Sequence, residues 1–180
     1  VTAVAATFYP SLAVGDLVTA DLLQSMVPKY YIKPSNESRN TTTTLADDTD
    51  LQGIALAVGT WEVELLGFWH QVTTNTQKIK TQWAFSGTWN TPIRNIVGAG
   101  STQTAASNVA DTVNVQAAGS GSDSIYDVAI GTSFTSFREW SCNVVVTVAG
   151  NLSLQWAQVA SSGNNTNLDA GTTFRIRQIG

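Results

Sequence analysis

FREWSCNVVVTVAGNLSLQWAQVA, residues 137–160, decides the fold. Two runs rich in β-branched and aromatic residues meet at Ala149-Gly150-Asn151, where glycine and asparagine tolerate positive φ. That pattern predicts a β-hairpin. Cys142 lies inside the first run, so its thiol is expected to be buried. It is the only cysteine, which excludes an internal disulfide framework and any multi-cysteine zinc site.

Outward from this stretch the β signal continues in both directions. Toward the carboxyl end, residues 152–180 place a polar, glycine-bearing loop between LSLQWAQ and TTFRIRQI, which reads as a closing hairpin with Phe174 and Ile176 inward and Arg175 and Arg177 outward. Toward the amino end, residues 53–72 hold two strands split by Gly59. In the second of them Trp61, Val63 and Leu65 alternate with Glu62 and Glu64. Beyond Leu66 both faces turn apolar, so that end is expected to be covered on both sides. Residues 78–90 alternate Ile79, Thr81, Trp83 and Phe85 against Lys78, Lys80, Gln82 and Ala84. Residues 91–111 read as a long loop with a short strand, and 111–134 as two short strands around a Gly-Ser turn. Strands of this length between turn signals predict an all-β domain, an antiparallel β-sandwich or jelly-roll-like fold, over residues 28–180.

Residues 1–27 differ. VTAVAATFYPSLAVGDLV is apolar without sustained periodicity, and TADLLQSM then offers Thr19 as an N-cap with Leu22, Leu23 and Met26 at helical spacing. The expectation is an N-terminal arm with a short helix, two turns long and too short to stand alone. The absence of a basic n-region argues against a signal peptide.

Composition narrows the function. The chain has 180 residues, of which 43% are hydrophobic and only 12% charged, about half the usual charged share, with a net charge of −4. Such a surface costs little to desolvate against a neighbour. The negative charge argues against nucleic acid as a partner, and no apolar run is long enough for a membrane helix. No catalytic or metal site and no cofactor is expected, and the chain is read as not an enzyme. His70 is the only histidine, no G-x-S-x-G elbow surrounds a serine, and Glu62, Glu64 and Glu139 read as separate acids. Asp47, Asp48 and Asp50 suit a plain turn or, as the alternative, calcium, although the glycine and distant glutamate of an EF-hand loop are lacking. The six tryptophans are assigned mainly to the core or a subunit interface. Trp89, in the turn-like GTWNTP, is the best candidate for an exposed ring that contacts a glycan.

YIKPSNESRNTTTTLADDTDL, residues 31–51, resembles the opening of a β domain found in virion proteins of tailed bacteriophages, chiefly those infecting actinobacteria. Lys33, Glu37, Ser38, Thr44, Leu45, Asp47, Asp48 and Leu51 fit that family's pattern. LSLQWAQVASSGNNTNLDAGTTFRIRQI looks like its final hairpin, and TADLLQSM is similar to the short helix that often precedes the domain. The resemblance implies a capsid decoration, head-fibre or minor tail protein and a jelly-roll-like homotrimer.

Residue chemistry and resemblance together lead to one expectation. The protein is a capsid decoration protein on the exterior of the virion, bound to the major capsid protein by its arm. Phe8, Tyr9, Leu12, Leu17, Leu22, Leu23 and Met26 would be the capsid-anchoring residues. Burying about 400 Å² of their apolar surface gives about 10 kcal/mol gross, against ordering costs of roughly 1–2 kcal/mol per residue. One arm is marginal, and three on a trimer bind with avidity. The alternative is a minor tail or fibre protein that binds a host cell-surface glycan.

Overall fold

A computed structural model describes residues 14–15, 17–20, 23, 27–71, 78–90, 92–98, 116–118, 124–126 and 135–180. Among them two antiparallel sheets enclose one core. The strands are β1 (Lys29–Ile32), β2 (Glu37–Arg39), β3 (Ala46–Asp47), β4 (Ile54–Leu56), β5 (Gly59–Gln71), β6 (Ile79–Phe85) and β7 (Thr88–Trp89). They continue with β8 (Arg94–Val97), β9 (Gln116–Ala118), β10 (Ser124–Tyr126), β11 (Thr135–Val148), β12 (Gly150–Gln158), β13 (Thr166–Leu168) and β14 (Thr173–Gln178).

The first sheet runs β1-β14-β5-β11-β8-β9, with β13 bridging β5 to β2 and β7 added to β11. The second runs β10-β6-β12-β3, with β4 also on β12. β5 keeps its period-2 alternation over its whole length, with Trp61, Val63, Leu65, Gly67, Trp69 and Gln71 inward. Ile79, Thr81 and Trp83 of β6, and Leu152, Leu154 and Trp156 of β12, face them from the other sheet. Trp83 meets Phe174 edge-on at 5.9 Å between ring centroids, joining the two layers.

The short helix is the part of the expected fold class that the structure overturns. Among the described residues every regular element is a strand. Leu23 N–H donates to Thr19 O at 3.1 Å, but no helix is built on that bond among the described residues. Leu17 and Leu23 there are 82% and 54% exposed. Without a surface beneath it, so short a segment does not repay helix nucleation.

Both hairpins are corrected as well. β11 belongs to the first sheet and β12 to the second, so Ala149-Gly150-Asn151 is a corner that carries the chain across the sandwich. At that corner Gly150 lies so close to the backbone of Gly87 that a Cβ would overlap it. β12 and β14 likewise lie in opposite sheets, with β13 making the return.

Cys142 is exposed, not buried. The pairing of β11 with β5 shifts register between Ser141 and Val144. This bulge leaves Cys142 and Asn143 both outside while Ser141 and Val144 stay in. Leu66 itself is 41% exposed on the outer face, whereas beyond it Gly67 and Trp69 are buried and Phe68 is half-buried.

Candidate functional site

Lys33, Glu37 and Asp48, three of the residues quoted for the resemblance, meet in one buried ionic clasp. Past β1 the chain turns at Pro34, and two backbone hydrogen bonds, Lys33 N to Thr172 O at 2.8 Å and Gly171 N to Lys33 O at 2.9 Å, fix Lys33 against the loop before β14. The Lys33 ammonium is fully buried and meets Asp48 at 2.9 Å, Asp50 at 2.9 Å and Glu37 at 3.5 Å. Asp48 Oδ1 also accepts the N–H groups of Asp50 at 3.0 Å and Leu51 at 2.8 Å, and its Oδ2 accepts Trp156 Nε1–H at 3.3 Å. The early motif and the LQWAQ motif, more than a hundred residues apart, thus touch through Lys33, Asp48 and Trp156.

Arg39 extends the clasp. Its Nε and Nη2 donate to Glu37 Oε1 at 2.8 and 2.6 Å, and it also donates to the carbonyls of Ala46, Asp47 and Trp156. Its guanidinium lies 4.2 Å from the Trp156 ring centroid. Burial alone would raise the Glu37 carboxyl, but the Thr49 N–H and Arg39 outweigh it and hold the group down at about 2. Burial likewise opposes the Lys33 charge, and the hydrogen bonds to Asp48 and Asp50 overcome it, leaving its pKa raised. In the acidic turn, where calcium was the alternative, an ammonium stands among the carboxylates. Among the described residues no cluster of histidine, cysteine and acids is suited to a metal.

The amino-terminal segment has the opposite character. Of the seven residues expected to anchor it, Leu17 and Leu23 are described, and both are exposed. Phe8, Tyr9, Leu12, Leu22 and Met26 lie outside the described residues. Val14, Val18 and Val27 are exposed too, and the series runs on into β1, where Tyr30 is 60% and Ile32 61% exposed. β1 is the terminal strand of its sheet, so its outer backbone edge is unpaired among the described strands. The adjoining outer face offers an apolar arm little to lie on, because it carries a ladder of ion pairs. Arg138 bonds Glu64, Arg175 reaches Glu64 at 2.9 Å and Glu62 at 3.6 Å, and Arg177 meets Glu62 at 2.7 Å.

The acids weighed as catalytic candidates are placed as follows. Glu62 and Glu64 belong to that ladder. Glu139 is fully buried between the sheets, 2.8 Å from the Arg94 guanidinium and hydrogen-bonded by the Thr81 hydroxyl, rather than standing alone as read from sequence. His70 Nδ1 lies 2.6 Å from Asp169 Oδ1, and its Nε2 faces the Asn167 amide nitrogen at 3.0 Å. That network puts the ring proton on Nδ1. Ser38 donates to Asn167 Oδ1, so its hydroxyl is turned away from the imidazole. Burial pushes the Asp169 carboxyl up, with His70 offsetting part of the rise. Trp89 is half-buried, and its ring stacks on Phe85 at 4.7 Å and 22° rather than standing free. Sequence reasoning missed the burial of Lys33. The signal that could have found it was three acids within four residues of a chain so poor in charge, which need a counter-ion close by. The chain matches no protein-family model and no curated protein sequence.

Proposed function

We propose that the chain is a structural protein of a bacteriophage virion, a decoration protein that docks on the exterior of the capsid through its amino-terminal arm and stabilises the shell. One observation carries the reading: Val14, Leu17, Val18, Leu23, Val27, Tyr30 and Ile32, all among the described residues, are exposed beside an ionically clasped sandwich. Exposed apolar surface continuous with a free strand edge is surface awaiting a partner. The partner is the major capsid protein. Three arms on a homotrimer turn a marginal single contact into stable attachment.

The test is removal of residues 1–27, which leaves every described strand intact. The shortened protein is expected to keep its β circular-dichroism spectrum and cooperative unfolding but to lose co-sedimentation with empty heads that lack the protein. Normal occupancy of those heads by the shortened protein would overturn the reading.

A further inference from the structure

We propose that the outer face of the second sheet binds a neutral saccharide. Beside β12 lies an open groove of about 380 Å³, within the roughly 300–1,000 Å³ common for ligand sites. Its polar lining is Asp47, Gln52, Ser86, Asn151, Ser153 and Gln155. Among the described residues, Asp47 is the only charged group in the lining and no cationic side chain lines the groove. This chemistry disfavours phosphates and other anions, and it matches a ligand whose polar groups are hydroxyls, each both donor and acceptor.

Several lining groups are already held in place. Ser86 and Asn151 bond reciprocally: Asn151 N–H donates to Ser86 Oγ at 2.9 Å and Ser86 N–H donates to Asn151 O at 3.0 Å. Gly53 N–H donates to Ser153 Oγ at 3.2 Å. Each serine oxygen therefore accepts from backbone and keeps its own proton to donate. Gln155 Nε2 donates to Asp47 Oδ1 at 2.8 Å, which leaves Asp47 Oδ2 and Gln155 Oε1 as acceptors. These donors and acceptors are fixed before any ligand arrives, so little ordering cost remains for binding. Ala84 and Gly53 keep side-chain bulk low and leave room for a ligand.

The inference stands apart from the attachment reading, because arm and groove belong to different parts of the fold and can fail independently. The full chain, with ¹⁵N label, is titrated with D-glucose, D-galactose, D-mannose, L-rhamnose and N-acetylglucosamine, with inorganic phosphate as the control anion. At least one sugar is expected to give saturable shifts of the Gln52, Asn151 and Gln155 side-chain amides, with a dissociation constant on the order of millimolar, while phosphate gives none. Ala84→Tyr, a strand-compatible change that fills the groove, is expected to abolish the shifts without altering the rest of the spectrum. Gln155→Ala is expected to weaken them about tenfold. The proposal is overturned if none of the five sugars perturbs these amides, if phosphate perturbs them equally, or if Ala84→Tyr leaves the shifts unchanged.

Discussion

Lys33→Met keeps the length of the side chain and deletes its charge. Lys33 and Asp48 are both fully buried, so the variant leaves a carboxylate out of water without its counter-ion. Breaking a buried pair from one side costs about 3–5 kcal/mol. Here the lower end applies, about 3 kcal/mol. Asp48 keeps three N–H donors, from Asp50, Leu51 and Trp156, while Asp50 and Glu37 retain partial access to solvent. For a chain of this size that loss lowers Tm by roughly 6–12 °C. Urea unfolding of the wild type, Lys33→Met, Asp48→Asn and the double variant, at unchanged m, gives the coupling. The double variant is expected to be about 1–2 kcal/mol more stable than the two single losses would sum to, because an amide at position 48 carries no charge that needs Lys33. A Lys33→Met loss under about 1 kcal/mol, or single effects that add within about 0.5 kcal/mol, refutes the clasp as a stabilising unit.

Acid titration probes the same cluster. Glu37 has a folded pKa depressed from 4.5 to about 2, so its contribution is full above pH 4.5 and is lost as pH falls through about 2. The loss is at most about 3 kcal/mol, and urea midpoints should fall across that window in the wild type and much less in Glu37→Gln. Lys33, with a raised pKa, contributes in full below pH 10.5, and that contribution should be lost only as pH rises above 10.5 through its folded pKa. Gly67→Ala puts a methyl group into the ring of Phe137 on the paired strand, and overpacking of this kind costs about 1–3 kcal/mol. Thermal unfolding checks it, and Phe137→Leu in the same chain should restore part of the loss. Cys142, exposed at the bulge, should react with a maleimide in native buffer as fast as in urea, and protection that disappears only on unfolding would contradict the bulge.

Where side chains alternate regularly, the sequence was legible. The inward sets of β5, β6 and β14 follow from period 2 alone, because each of these strands has one face on the core. The Gly150-Asn151 signal was legible as a reversal but not as a corner. A chain that folds back within a sheet and one that crosses between sheets both need a permissive turn and inward apolar residues on each side. Only the approach of Gly150 to Gly87, far away along the chain, separates the two. Cys142 was misplaced for a related reason: one extra residue in a strand inverts every inference drawn from alternation beyond it. The clasp lay hidden because charged residues in a turn ordinarily face water, and nothing local to YYIKPS shows that Lys33 points the other way. At the amino end the helical spacing misled, since spacing specifies a face without specifying what that face lies on, and every regular element among the described residues is a strand.

If the arm is the anchor, the amino-terminal segment gains its protection from a partner and not from its own domain. Hydrogen exchange of the full chain, free and bound to empty heads, tests it at Leu17, Val18, Leu23 and Val27, all exposed in the free protein. Rapid exchange is expected at these amides in the free protein and slowing by orders of magnitude on the particle, with the β5 and β12 amides slow in both. Strong protection of the same four amides in the isolated protein, unchanged by the particle, would contradict it.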